Sequence, residues 1–357
     1  MCCIGADYST AARFNAAILR LAVDQGVIVS EQLQSAAIIG ADIGSTEIVI
    51  GCANTNHSVK TIANNRKAIE AWLKKLPKDT IIGMEATGRY HTTLADCAAE
   101  RGHRVYVINP KYLALYAKGV GQRGKTDSLD ANVIARYVAR EGDQLRPYTV
   151  PTTTQRTLRQ LLSQRAGVVK HCAAIDQCLR ATASSGSDAL NRARQHAQQS
   201  LRALIAEIDA ELKEVVKRDE VLEAKRVLLQ TIDGVGPLNS LALTHRFDRT
   251  PFANSDAVVA AYGMDPRPKD SGNKTGQRRL TKQGNAEDRR LIYLAAQSAA
   301  KTKTFKPIYQ ALREKGFATT EAIVIIARKL LRIAFAVWVS NQPFDPKKVG
   351  VQACGKP

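Results

Sequence analysis

Residues 37–44, AIIGADIG, and residues 80–85, TIIGME, decide the fold. Each is a short apolar run of strand length that reaches an acid at its end, Asp42 in the first and Glu85 in the second. Runs rich in isoleucine and bounded by turn residues read as buried strands. Residues 125–137, KTDSLDANVIARY, carry two more acids, Asp127 and Asp130, three apart in a helical pattern. Residues at i and i+3 share one helix face, so both carboxylates can point at one spot. Carboxylates that converge repel unless a cation lies between them. Hard oxygen donors of this kind suit Mg²⁺ or Mn²⁺, and two such ions spaced for in-line displacement are common machinery for cutting phosphodiesters. Taken singly, Asp127 also reads as a helix N-cap, and Asp42 or Glu85 as a strand-end surface acid. The four together, each at an element end, favour the metal reading.

The stretch around these acids alternates strand and helix. TEIVIGCA (46–53) is a second strand, joined to the first by a tight Gly44-Ser45 turn, and His57–Thr61 offers a third. Arg66–Leu76 and TTLADCAAERG (92–102) read as helices, the latter ended by Gly102. HRVYVINP (103–110) is a strand stopped by Pro110, and KYLALYAKG (111–119) and DSLDANVIARYVAR (127–140) are helices. Residues 37–150 are thus an α/β domain with a hairpin start, a mixed sheet and helices on its faces.

Beyond residue 150 strand signals vanish. Leu161, Val168, Cys172, Ile175 and Leu179 form one seven-residue stripe, interrupted by Arg165, and Leu201, Ile205, Ile208, Leu212 and Val215 form another. SSGSD (184–188) breaks between them, which gives two antiparallel helices or a short coiled coil over 151–225. Stripes of this kind are core or dimer seam far more often than a cofactor box. Residues 226–342 are a helical domain. Its GVGP (234–237) resembles a helix-hairpin-helix, whose backbone N–H groups grip a phosphate, or else an ordinary helix turn. A polar loop follows at 264–285, MDPRPKDSGNKTGQRRLTKQGN, too long to be idle in a compact domain. Asn285 then offers an N-cap, a last helix spans Thr319–Val339, and the tail 343–357 is expected to be loose. Residues 1–36 carry no motif; they read as a short helix around Ala11–Val23, as a non-native extension, or as the product of a start codon set too early.

Charge narrows the partners. The chain of 357 residues has a formal net charge of +19. Residues 264–332 hold 16 Lys and Arg against 6 Asp and Glu, over half of that excess in under a fifth of the chain. Such a field attracts polyanions, and nucleic acid is the default partner. Lys269, Lys274, Arg278, Arg279 and Lys282 are the candidate contacts, with a merely solvated basic face as the alternative. No basic helix carries an aromatic stripe and no apolar run reaches 18 residues, so a membrane role is not expected. The seven cysteines form no CxxC pair and no zinc-spaced cluster, as in reduced cytoplasmic proteins.

These blocks resemble a known family. GADIGSTEIVIGCAN (40–54), GMEATGRYHTTLADCAAERGHRVYVINP (83–110) and KTDSLDANVIARY resemble the RuvC-like DEDD domain of insertion-sequence transposases of the IS-one-ten (IS110) family, also called bridge-RNA-guided recombinases. GVGPLNSLAL (234–243) and the block 252–296 resemble the serine-bearing domain of the same proteins. The resemblance implies a RuvC/RNase H-like first domain, a coiled-coil spacer, and a catalytic set of Asp42, Glu85, Asp127 and Asp130 on Mg²⁺ or Mn²⁺. It also implies that Ser271 is a nucleophile forming a covalent phosphoserine–DNA intermediate. Donor and target DNA, a non-coding guide RNA and further copies of the chain (dimer or tetramer) are the implied partners, at a bacterial nucleoid. After the first aspartate the family usually has Ser-Lys, where this chain has Ser45, Thr46 and Glu47. The lysine is not one of the four acids. His91 and His245 are read as structural. Two other functions compete: a RuvC-like Holliday-junction resolvase that uses water and leaves Ser271 idle, and a non-catalytic nucleic-acid-binding remnant.

Overall fold

The computed structural model describes residues 37–53, 55–121, 127–181, 188–267 and 279–349. The chain divides into two compact units, Met1–Val150 and Pro151–Pro357.

The first unit is built on a five-stranded mixed sheet in the order β3-β2-β1-β4-β5. Its strands are β1 (Ile38–Ile43), β2 (Glu47–Cys52), β3 (Thr55–Ala63), β4 (Ile81–Glu85) and β5 (Arg104–Ile108). β1, β2 and β3 pair antiparallel, whereas β4 runs parallel to both β1 and β5. The turn after β1 closes with the Gly44 N–H donating to the Glu47 carbonyl at 2.9 Å. Among the described residues four helices flank the sheet: α1 (Arg66–Leu73), α2 (Thr92–Glu100), α3 (Pro110–Gly119) and α4 (Asp127–Glu141). Gly102, at φ +85°, ends the turn after α2 in a conformation that favours glycine.

Strand alternation sorts the sheet into two faces. Ile39, Ala41, Ile43, Ile82 and Met84 face α1 and α2, burying Ile69, Trp72, Leu73, Leu94 and Ala98. Ile81, Tyr106 and Ile108 face the other way, against Leu113 of α3 and Ile134 and Val138 of α4. This three-layer α/β arrangement is consistent with the RuvC-like domain expected. Both faces of β4 are covered, which explains its unbroken apolar run.

The second unit is helical. α5 (Thr153–Ala181) and α6 (Asp188–Lys217) are the two long helices of the stripes, and they pack on each other. Leu158, Ile208, Leu212, Val215 and Val216 are buried at their base with Leu222 and Leu241. Farther out the stripe opens: Ile175 is 39% exposed. Arg165, which interrupts the first stripe, meets Asp209 of the second through two hydrogen bonds of 2.5 and 3.0 Å. The remainder comprises α7 (Glu220–Gln230), α8 (Pro237–Arg249), α9 (Ser255–Ala261), α10 (Ala286–Ala299), α11 (Lys306–Glu314) and α12 (Thr319–Ser340), plus the two-residue strands β6 (Pro266–Arg267) and β7 (Arg279–Leu280). α12 is the axis of this core, burying Ile323, Ile326, Leu330, Leu331, Ala334 and Val337. Asn285 caps α10 as expected, accepting from the Glu287 N–H at 2.7 Å.

Two expectations change here. The stretch 264–285 is not one continuous loop, because its described ends pair as an antiparallel ribbon, Pro266 opposite Leu280 and Arg267 opposite Arg279. The tail is not loose from Pro343. Phe344 stacks on the fully buried Phe305 ring at 6.3 Å between centroids, and its N–H donates to Thr231 Oγ1 at 2.9 Å. Residues 1–36 lie outside the described residues.

Candidate active site

β1 and β4 are parallel neighbours whose register runs from Ile38 opposite Ile81 to Ala41 opposite Met84. One step further sets Asp42 beside Glu85, the last residue of β4. Residues in register on adjacent strands project to the same face, with strands about 4.8 Å apart. Both carboxylates are half-buried. By the same alternation they share a face with Gly40 and Gly83, two positions earlier on each strand.

That face belongs to α4, and glycine is the reason the helix can lie so close. Gly51 of β2, Gly40 of β1 and Gly83 of β4 stand in register across three adjacent strands. A Cβ at Gly40 would come against the Ala131 carbonyl oxygen and lie 2.6 Å from the Ala135 nitrogen, both backbone atoms of α4. At Gly51 it would lie 2.9 Å from the Asn132 nitrogen, and at Gly83 it would meet Val138 Cγ2 at 2.5 Å. The row is a shelf on which the α4 backbone rests almost directly on the sheet backbone. It holds α4, the helix that begins at Asp127 and includes Asp130, against the face that bears Asp42 and Glu85. Sequence reasoning missed the shelf although its signal was present: GAD and GME each place a glycine two residues before the acid, hence on the acid's own face.

Asn64 was also missed. Its Nδ2 donates to the Gly44 carbonyl at 2.8 Å and to the Tyr90 carbonyl at 3.2 Å. Gly44 lies two residues past Asp42, and Tyr90 lies in the loop that follows Glu85. One amide therefore ties together the loops leaving both acid-bearing strands. A surface asparagine between a strand and a helix gives no such hint in the sequence.

The predicted residues divide clearly. Asp42 and Glu85 are brought together, and Asp130 is half-buried on the helix over their face. Asp127 opens α4, but its side chain lies outside the described residues. Among the described residues no three ligating side chains converge closely enough to hold a metal ion. The pair that the strand register sets side by side still fits Mg²⁺ chemically, since that ion is commonly held by one or two carboxylates, with waters and substrate phosphates completing its shell.

In the second unit, Ser271, Lys269, Lys274 and Arg278 lie outside the described residues. Arg279 and Lys282 are exposed. The base of the ribbon is fixed tightly. Gly263, at φ +63°, lies so close to the 282–284 turn that a Cβ would be 2.6 Å from the Gln283 and Gly284 nitrogens. The Lys282 N–H donates to the Gly263 carbonyl at 3.0 Å, and Lys282 itself takes φ +53°, a left-handed conformation costly for a residue with a side chain. Arg289 Nη1 donates to the Gly284 carbonyl at 2.5 Å and to the Tyr262 carbonyl at 3.4 Å. Beneath it, burial raises the Asp288 carboxyl, and Arg246, 4.0 Å away, opposes the shift. Burial likewise raises the Tyr262 phenol.

Gly234 of the GVGP turn has a packing role. At φ +90° it abuts α10, where a Cβ would lie 2.6 Å from the Ala295 carbonyl oxygen and the Ala299 nitrogen. His245 is half-buried, and burial with Arg246, Arg159 and Arg249 nearby pushes it down to about 4, so it stays neutral at ordinary pH. Cys52, Cys97 and Cys172 are free thiols, and burial raises that of Cys97. Among the described residues no helix is long and apolar enough to cross a membrane.

Comparison with known proteins gives two family matches. A family model described as a transposase, the DEDD transposase domain of IS110, matches residues 39–185. A second, described as transposase IS116/IS110/IS902 family, matches residues 226–310. The pilin gene-inverting protein of Moraxella lacunata is 29% identical over 274 residues, 74% of this chain and 81% of that protein. The transposase for insertion sequence element IS1328 of Yersinia enterocolitica is 24% identical over 346 residues, 88% of this chain and 100% of that protein.

Proposed function

Because the chain belongs to the IS110 family of insertion-sequence transposases, enzymes that cut and rejoin DNA, we propose that it recombines DNA by phosphodiester exchange at Asp42, Glu85, Asp127, Asp130 and Ser271. The observation that carries this reading is the register of β1 and β4, which makes neighbours of Asp42 and Glu85 on the face held by α4. Inversion of a DNA segment, as the name of the Moraxella relative states for that protein, is the same chemistry applied to two sites in one molecule.

Asp42 and Glu85, with Asp127 and Asp130 from the first turn of α4, would hold Mg²⁺ or Mn²⁺. A bound divalent ion would stabilise negative charge on the phosphate under attack and on the departing oxygen. Ser271 Oγ loses its proton and bonds to phosphorus. The phosphorus–oxygen bond to one strand end breaks, and the released sugar hydroxyl takes up a proton. One phosphodiester replaces another, so rejoining needs no ATP. Arg279 and Lys282, with Lys269, Lys274 and Arg278, contact backbone phosphates. Sequence choice is delegated to pairing with a bridge RNA, which relieves the protein of reading bases. Further copies of the chain, as a dimer or tetramer, are the partners that the family resemblance implies.

The test is recombination in vitro with Mg²⁺, followed on a denaturing gel. Asp42→Ala and Glu85→Ala should lose strand cleavage while keeping the fold and nucleic-acid binding. Wild type should give a slow-migrating, protease-sensitive DNA species that Ser271→Ala lacks. Cleavage by wild type without that species means that water is the nucleophile, and the resolvase reading then replaces this one.

A further inference from the structure

The C-terminal end of the second unit encloses a groove of about 740 Å³ between one face of α12 and the tail that Phe344 pins beside it. The walls are of two kinds. Arg328, Lys329 and Arg332 of α12 and Lys348 of the tail supply four cations, against Asp345 as the carboxylate in the lining. Ile325, Ile333, Ala336, Val337 and Val349 supply an apolar floor, with the half-buried Phe344 beside them. On α12 the lining positions 325, 328, 329, 332, 333 and 336 fall at helical spacings of three and four, so cations and apolar side chains share one stripe. A helix stripe that packs into a core would not carry three cations. Arg332 already shares an ion pair with Asp256 at 2.8 Å, and Asp256 is 78% exposed, so the pair lies at the rim.

We propose that this groove is a binding site for single-stranded nucleic acid, with phosphates on the Lys329, Arg328 and Lys348 walls and nucleobase edges and faces on the apolar floor. Single strands suit the site because their bases are free to turn from the phosphate line onto apolar side chains, and proteins that hold them combine a cationic groove with aromatic side chains on which bases stack, a part that Phe344 supplies in this lining. A duplex hides its bases and needs no apolar floor. The volume lies within the range of sites that enclose a small organic ligand and is far too small for a duplex. The chain's own residues 350–357, GVQACGKP, offer no acidic side chain to match the four cations. This assignment rests on the reading of the chain as a nucleic-acid enzyme, but it names a site remote in sequence from the serine segment and from all four acids.

The experiment uses the full chain and short fluorescent RNA and DNA single strands, with binding read by anisotropy in EDTA so that the metal chemistry plays no part. The variants are Lys329→Glu, Lys348→Glu and the double substitution, which leave the Arg332–Asp256 pair intact. The double variant should bind single strands at least tenfold more weakly at fixed salt. The slope of log affinity against log salt should fall by about 1.4, the value for two lost phosphate contacts on a single strand. A photo-crosslinking base in the strand should label peptides spanning 325–336 or 343–349. Unchanged affinity and slope in the double variant overturn the site while leaving the proposed function standing. Absence of any wild-type binding at low salt overturns both. A change of oligomeric state in scattering measurements, with single-strand affinity unaltered, identifies a second copy of the chain as the occupant and also overturns the proposal. Removing 350–357 should leave affinity unchanged; a tenfold gain would mean that the tail fills the groove instead.

Discussion

The two units use glycine for the same physical purpose with opposite consequences. In the α/β unit Gly51, Gly40 and Gly83 let α4 approach the sheet, and the helix so placed carries Asp127 and Asp130. In the helical unit Gly234 lets the α7–α8 turn approach α10, and nothing in that contact bears on a reacting group. Close backbone approach is a way of setting position to within a fraction of an ångström, because backbone atoms cannot swing aside as side chains do. Where the positioned element carries chemistry, its loss should be read in activity. Where it carries packing alone, its loss should be read in stability.

The sharpest test of that contrast is Gly40→Ala against Gly234→Ala. At Gly40 the new methyl meets the Ala131 carbonyl and the Ala135 nitrogen, so α4 must lift. Overpacking of this kind costs about 1–3 kcal/mol, and a displacement of about 1 Å in a catalytic group can cost about a hundredfold in rate. Recombination should therefore fall about a hundredfold or more in a protein that still melts cooperatively. At Gly234 the left-handed φ adds its own penalty to the clash, and stability should drop by about 2–4 kcal/mol. Activity per folded molecule should be near that of wild type. Gly83→Ala is the internal control: its methyl meets Val138 Cγ2, a side-chain atom that can rotate, so its effect should be milder than that of Gly40→Ala. If both Gly40→Ala and Gly234→Ala lose stability alone, the shelf does not position the site.

The same contrast explains what could be read beforehand. Strand register is a consequence of alternation, so IIGAD and IIGME announce both the sheet and the shared direction of Asp42 and Glu85. The helical pattern of DANVIARYVAR likewise announces α4. The shelf is less legible because three glycines from separate strands become one feature only once the strand order is known. Asn64 is illegible for another reason: its partners are the carbonyls of Gly44 and Tyr90, and a carbonyl has no residue identity. In the helical unit the ribbon strands β6 and β7 are two residues each, below the length at which any periodicity exists. Ser271 was therefore singled out by family resemblance alone. The pinned tail was missed because Phe344 is a lone aromatic between Pro343 and Asp345, outside any periodic pattern, and its partner Phe305 is 39 positions away.

Asn64 gives an intermediate effect confined to the first unit. Asn64→Ala removes both hydrogen bonds between the loops that leave β1 and β4. Exposed hydrogen bonds of this kind contribute about 0.5–1.5 kcal/mol at most, so the melting temperature should shift little. Turnover should fall about three- to tenfold, because the ends of the two acid-bearing strands are no longer held together. Asn64→Asp, which cannot donate from the δ position, should match the alanine variant. Activity retained in both would assign the tether to surface packing alone.

The smallest effect belongs to the helical unit and appears only as a dependence on pH. His245 in α8 is pushed down to about 4 by burial and by Arg246, Arg159 and Arg249, against an ordinary value of 6.5. The unfolded chain therefore takes up this proton more readily than the folded one. The stability associated with neutral His245 is fully present above about pH 6.5 and is lost as pH falls from there toward 4. Asp288 acts in the opposite sense. Burial raises its carboxyl, so its charged form opposes folding and its contribution weakens as pH rises. A comparison of wild type with His245→Gln cancels the Asp288 contribution and isolates the histidine. Thermal melts at pH 7.5, 6.5, 5.5 and 4.5 should show the variant losing less stability than wild type over the two most acidic steps. No such divergence should appear between pH 7.5 and 6.5. Recombination measured at neutral pH should be unchanged, since His245 is neutral there. Parallel melting curves down to pH 4.5 would mean that the imidazole reaches solvent when the helical unit breathes, and that His245 is not held neutral by its surroundings.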